Sequence, residues 1–536
     1  MKKIIVSVIA ATTLCACNDM LELKPLNAVV VENYWEKESE VEAVVLSCYY
    51  EMQNADFTKR LIAWGELRSD NITETSALQQ NTDLFNLYNN NITTSNSWNS
   101  WAAFYNVINL CNTVLYYAPQ AQSNDGNFSE ETLHSYEAEV RSIRALCYFY
   151  LIRTFQKVPL VLDATIGDDE SFQVKASSEE EVIAQIITDL TYAEEYIWDK
   201  EYFDNVTERK GRFNKQSVKA LLADVYLWNG DYELCNDVCD DIIAEKINEY
   251  NDQQKEVLSG VYTSQTVNGD LALYEGYPLI DGSQDVHYAY NRIFVTGNSF
   301  ESILEIQYDY ANRAAGNEGI TYFYGNMSNW GSGILNAASW LVDQGNLFTD
   351  ANDIRMFENT GYNGTSTSES YYIRKYRTTY ENSSDGNLRS TAPNWIVYRL
   401  TDIMLMKAEA LAYIGGTENA EEAFEIVKAV NERSCLGSSR LEYNTANIKE
   451  IVLDERQREL ISECKRWYDL MRMVRHSDNP TQAMSTLRNS YLMRKYEKNG
   501  KDAVARLASV NNLYLPFAQS EIEVNPLLEE DQNPAY

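Results

Sequence analysis

Glu455-Arg456-Gln457-Arg458-Glu459-Leu460, followed by Arg466-Trp467-Tyr468-Asp469-Leu470-Met471-Arg472, is the stretch whose reading decides the fold. Around it Ile448, Val452, Leu460, Ile461, Cys464, Trp467, Met471 and Val474 fall on or near one stripe, which predicts a long amphipathic helix from Ile448 to Val474. Its other faces carry opposite charges three residues apart at Glu455/Arg458, Glu463/Arg466, Arg466/Asp469 and Asp469/Arg472. Residues at that spacing meet on a helix surface, so a structural helix laced by its own salt bridges is expected.

Working outward, Asp402 to Arg433 reads as a helical hairpin, with Ala408, Ala410 and Ala412 before a Gly415-Gly416 turn and Ala420, Ala423 and Val427 after it. A second hairpin spans Val218 to Ile243 and turns at Asn229-Gly230-Asp231. Small residues on facing helices allow the close approach seen in tetratricopeptide units. Glu131 to Phe155 is a further helix that stops before Pro159. The repeat period is not kept between the hairpins, so the expected architecture is mainly α: tetratricopeptide-like hairpins flanking a large irregular insertion, not a continuous solenoid. That insertion, residues 251–394, is rich in Gly, Asn, Ser and Tyr, and turn pairs such as Asn268-Gly269 and Asp281-Gly282 recur in it. Asn71 to Asn99 has the same texture, and loops on a rigid scaffold are where binding groups gather.

Composition narrows the function. The chain has 536 residues, with 79 Asp+Glu against 45 Lys+Arg and a net charge of −34, a surface that repels a phosphate backbone. Nucleic acid is excluded as a partner. The three histidines, His134, His287 and His476, are too scattered for a helix-borne metal motif, which argues against a histidine-built zinc site; no EF-hand pattern accompanies the neighbouring Asp350 and Asp353, which leaves a loop Ca²⁺ undecided, and no cofactor is expected. Tyr 38 and Trp 10 are high counts: such rings suit the stacking of sugars, but Tyr-rich helical interiors give the same composition. Trp101, Trp228 and Trp467 lie on amphipathic helices and are assigned to the core, as are most cysteines, Cys147 among them; Cys235 and Cys239, four apart on one helix, are read as packing.

The N-terminus reads as an address. Lys2 and Lys3 precede an apolar run from Ile4 to Leu14, too short to span a membrane, and then Leu14-Cys15-Ala16-Cys17. Cysteine at that point resembles a bacterial lipobox, with residues 1–16 removed as a signal peptide and Cys17 lipidated; residues 17–30 then form anchor and tether.

Taken together, these motifs resemble the SusD/RagB family of outer-membrane nutrient-binding lipoproteins. The family's ERxxEL and RWxDLxR patterns match the two quoted segments, and its RLxEvyLxxAEA helix resembles Tyr398 to Ala410. Val430-Asn431-Glu432-Arg433, Tyr514-Leu515-Pro516 and the closing Gln532-Asn533-Pro534-Ala535-Tyr536 follow the family's pattern as well. In the first half Glu66-Leu67-Arg68-Ser69-Asp70-Asn71 resembles the ELxSD segment, and Trp101, Tyr105, Ile108 and Asn112 the WxxxYxxIxxxN helix. The resemblance implies an N-terminal helical scaffold over 31–250, the 251–394 insertion as ligand-binding region and a C-terminal helical region over 395–536. It also implies a lipoprotein on the outer face of the outer membrane that binds a glycan, does not cut it, and passes it to a SusC-like TonB-dependent transporter.

In sugar-binding relatives the aromatic arc comes from the insertion and from the loop after ELxSD. The corresponding candidates are Tyr322, Tyr324, Asn329 and Trp330 in the insertion, and Asn71, Glu74, Gln79 and Trp98 after Asp70. Each has a plainer reading: Trp330 as a loop ring tucked onto the body, Tyr322 and Tyr324 as the buried face of a short strand, Trp98 as a cap on the Trp101 helix. Competing functions are the import of peptides or another nutrient, and an anchored glycosidase using an Asp/Glu pair.

Overall fold

The computed structural model describes residues 34–166, 173–258, 271–282, 289–309, 316–326, 331–343, 345–362, 370–377, 392–496 and 500–536. The signal peptide, the Cys17 anchor with its tether, His287, Asn329 and Trp330 lie outside the described residues. No described helix is long and apolar enough to cross a membrane.

The long helices are α1 (Glu38–Met52), α2 (Ala55–Gly65), α3 (Ala102–Asn124), α4 (Glu130–Phe155), α5 (Glu179–Tyr196), α6 (Lys215–Asn229), α7 (Tyr232–Leu258), α8 (Leu400–Ile414), α9 (Thr417–Ser434), α10 (Ile448–Leu460) and α11 (Arg466–Arg475). Their ends follow from local chemistry. Ser129 caps α4 by accepting from the Thr132 amide at 3.0 Å, and Ser178 with Glu181 forms a reciprocal capping box on α5. Gly230, at φ 87°, takes the left-handed conformation that stops α6 and turns the chain into α7.

Sequential helices pack as hairpins, α3 on α4, α6 on α7 and α8 on α9, and α7 lies against α8, so the two stretches read as hairpins form one continuous scaffold. Ala220, Ala223, Ala408, Ala410, Ala420 and Ala423 are buried at these contacts, where small side chains bring backbones close. Trp101, Trp228 and Trp467 are in the core, and Cys48, Cys111, Cys147, Cys235, Cys239, Cys435 and Cys464 are free, buried thiols. The fold is mainly α and tetratricopeptide-like, as expected.

Among the described residues there are ten short strands: β1 (Ile72–Thr73), β2 (Val158–Pro159), β3 (Ala176–Ser177), β4 (Leu271–Tyr274), β5 (Tyr277–Ile280), β6 (Ser302–Ile306), β7 (Asn336–Ala337), β8 (Thr360–Tyr362), β9 (Tyr371–Ile373) and β10 (Trp395–Arg399). The fully buried antiparallel pair β6–β10 runs directly into α8 and anchors the insertion to the scaffold. A four-stranded sheet, in order β1-β7-β9-β8, joins the insertion to the chain just after Asn71.

The quoted segment departs from expectation. The expected single helix from Ile448 to Val474 is two helices, α10 and α11, broken by a turn in which Ser462 and Cys464 both have φ 63°. Tertiary contact outweighs propensity here: the Cys464 carbonyl sits where a Cβ on Gly65 would be, and Tyr324 donates its hydroxyl to the Ser462 carbonyl at 3.0 Å. Of the four expected charge pairs, Glu455–Arg458 and Asp469–Arg472 form. Glu463, within the break, and Arg466, just after it, take distant partners instead: Glu463 binds Arg399 and Lys375, and Arg466 binds Asp70.

Nor are these charges on a solvated face. Glu459 accepts from Arg433 at 2.5 Å, Arg399 at 2.7 Å and Arg355 at 3.2 Å, all of them buried. Burial alone would raise the Glu459 carboxyl, but the surrounding cations overcome it and hold the group well below the usual carboxylate range.

Candidate functional site

The ELxSD-like segment is a junction between the two halves of the chain. Arg68 donates to the Leu513 and Asn512 carbonyls and lies 4.3 Å over the Trp467 ring. Asp70 accepts from Arg466 at 2.8 and 3.0 Å. Asn71 donates to Glu66 and accepts from Gln457, both at 2.7 Å. Every polar group of this segment is turned into the protein, which fixes the direction in which the chain leaves at β1.

Beyond β1 the chain lays down two short helices, Ser76–Gln80 and Thr82–Tyr88, then a 3-10 turn, Ser97–Asn99. The insertion's short helix Glu318–Phe323 packs against α2 beside them. Thr75 donates to the Ile334 carbonyl at 2.7 Å and Asn81 donates to the Tyr322 hydroxyl at 3.1 Å, tying loop to insertion. Buried Phe323 forms the floor: Tyr322 stands edge-on to it at 4.9 Å, and Trp98 tilts against it at 5.9 Å.

Both flanking rings are half-buried, each with one cation: Lys59 lies 4.9 Å over Tyr322 and Arg60 lies 5.8 Å over Trp98. Glu318 pairs with Lys59 at 3.5 Å. Half-buried Glu74 and exposed Gln79 come from the same loop. The result is an aromatic surface rimmed by amide, carboxylate and ammonium groups, the mixture that flat, hydroxyl-bearing rings require.

Tyr322 and Trp98 are thus brought together, with Glu74 and Gln79 on the same loop. Two candidates are corrected. Tyr324 is fully buried, with its hydroxyl committed to Ser462, because it is the residue that closes the helix Glu318–Phe323 onto the core. Asn71 is buried, with both ends of its carboxamide engaged by Glu66 and Gln457. Neither presents a free group to a ligand. Lys59, Arg60, Asn81 and Glu318 escaped sequence reading: the first two sit on α2 without a motif, and Asn81 and Glu318 look like ordinary helix-start residues.

The junction joins two regions that also match known proteins. Residues 19–227 match the sequence profile described as starch-binding associating with outer membrane, and residues 349–536 match that of the SusD family. The chain belongs to the SusD family. A SusD-like protein of Formosa agariphila is 25% identical over 481 residues, covering 87% of this chain and 89% of the relative. A SusD superfamily protein of Bacteroides vulgatus superposes with a TM-score of 0.69 at 18% identity, covering 94% of this chain and 100% of that one. A laminarin-binding SusD-like protein superposes with a TM-score of 0.63 at 21% identity over 94% and 100% of the two chains. In SusD-family terms, Asp70–Arg466 and Asn71–Gln457 are among the bonds that hold the first matched region to the second.

Proposed function

We propose that this SusD-family chain is a cell-surface glycan-binding lipoprotein. It captures oligosaccharides on the Trp98–Phe323–Tyr322 surface and passes them to a SusC-like TonB-dependent transporter, while a lipid on Cys17 holds it at the outer membrane. Trp330 and Asn329, which lie outside the described residues, are proposed to join the site, with Glu74 and Gln79 at its edge. The observation that carries the reading is the pair of half-buried rings, Trp98 and Tyr322, both packed against Phe323, with Asn81, Lys59 and Arg60 fixed around them. Stacking on such faces, with hydrogen bonds at the rim, recognises saccharides. The names of the relatives, one profile starch-binding and one structure laminarin-binding, support the same ligand class.

The protein binds without cutting. Burial raises the Glu66 carboxyl to about 7, the range a general acid needs, but it is sealed in the core against Asn71. At the surface Glu318 is engaged by Lys59. Affinity electrophoresis in gels cast with laminarin, starch and other polysaccharides tests the site: at least one should retard the protein, and Trp98→Ala with Tyr322→Ala should abolish the retardation. Migration unaffected by every polysaccharide, or undiminished retardation of the variants, contradicts the reading. Extraction of native outer membranes tests transfer, and a co-purifying β-barrel transporter is the expected result.

A further inference from the structure

The hairpin formed by β8 and β9 carries tyrosines that the protein does not bury. Tyr362, 58% exposed, stands directly across the ladder from half-buried Tyr371, with ring centroids 5.5 Å apart at 62°. Tyr371 packs on a small apolar cluster that includes Trp340 and Phe348, so the pair is anchored to the body. At the next position along the ladder, half-buried Tyr372 lies across Gly361; a Cβ on Gly361 would collide with the far end of its ring. Glycine at 361 is therefore what lets that ring lie down on the strand. Phe357, 54% exposed, flanks the hairpin, and its carbonyl accepts from Arg374 at 3.3 Å.

The hairpin is rigidly joined to the surface described above. The Ile373 carbonyl of β9 accepts from the Gly325 amide at 2.9 Å, three residues past Tyr322. The register Thr73–Asn336–Tyr372–Gly361 crosses the whole sheet, from the residue before Glu74 to the hairpin. Three strand spacings separate β1 from β8, about 14 Å. Paired flat rings on a sheet that is joined to a second aromatic surface match the alternating faces and edges of a sugar chain better than the side chains of a protein partner.

We infer that Tyr362 and Tyr371 form an outer saccharide subsite, and that the ligand is an oligosaccharide long enough to reach from Tyr322 to this hairpin. The inference rests on the proposed function and adds the ligand's length to it. Short oligomers occupy the Trp98–Tyr322 surface alone; longer ones gain the tyrosine pair.

Calorimetric titration with a length series, laminari- and malto-oligosaccharides from the disaccharide to the heptasaccharide together with the series made from any other polysaccharide that retards the protein, tests it on the full chain. The wild type should bind more tightly as length increases. In Tyr362→Ala/Tyr371→Ala the long oligomers should lose about tenfold in affinity, the scale of one lost stacking contact, while the shortest that bind stay unchanged. Thermal unfolding verifies that the variant is folded. An identical length dependence in the folded variant, or an equal loss for short and long oligomers, overturns the inference and leaves the proposed function standing. So does a variant that loses only its association with a membrane protein. A wild type that binds no saccharide at all overturns both.

Discussion

Asp70 and Arg466, 396 residues apart in the chain, meet as a buried two-bond ion pair at 2.8 and 3.0 Å. Burial pushes the Asp70 carboxyl up, yet Arg466 outweighs it and holds the group below its ordinary value. Arg466→Met leaves that carboxylate buried without a counter-charge and should cost about 3–5 kcal/mol in chemical denaturation. Asp70→Asn/Arg466→Met should recover part of the loss. Because the folded-state value is depressed, Asp70's contribution is complete above its unfolded pKa, about 3.9, and disappears as pH falls through the folded value. Below about pH 4 the double variant's stability should therefore fall less steeply than the wild type's.

Glu66 carries the opposite sign. Burial raises its carboxyl from 4.5 to about 7, so between those values the folded protein binds a proton that the unfolded chain releases. Stability is lost across that window as pH rises. Glu66→Gln, which is neutral throughout, should be close to wild type near pH 4.5 and more stable by on the order of 2–3 kcal/mol at pH 8. Denaturation midpoints at the two pH values check this.

Gly65 matters for the turn that splits α10 from α11. A Cβ there would meet the Cys464 carbonyl and Cβ, and the backbone carbonyl cannot swing aside as a flexible side chain could. Gly65→Ala should destabilise by about 1–3 kcal/mol, the usual cost of overpacking, although alanine is the better helix former.

The break at Ile461–Lys465 marks where sequence reading stops. Scaffold helices, hairpin turns and core tryptophans were legible because their signals are local: periodic apolar positions, Gly230, Ser129 and the alanine stripes. The break was not, because its cause, Gly65 and Tyr324, lies in distant parts of the chain. The same holds for the charges of α10, which look solvated in one helix but are matched in the core by Arg355, Arg399 and Arg433 from other elements. At the site, Tyr322 and Trp98 could be found as aromatics in polar loops. Tyr324 could not be told from Tyr322, since two residues of spacing decide burial only once the backbone is known.

Tyr324 supplies the matching control. Tyr324→Phe removes a buried hydrogen bond to Ser462 and should cost about 1 kcal/mol of stability, while glycan retardation remains at the wild-type level. A Tyr322→Ala protein should show the reverse: near-native stability with weakened retardation, since its ring is only half-buried.

The most direct measurement is a crystal structure of the protein soaked with the oligosaccharide that binds most tightly. Sugar rings stacked on Trp98 and Tyr322, with hydroxyls reaching Asn81, Lys59 or Arg60, are the expected result. A saccharide bound elsewhere, with those two rings bare, would contradict the account.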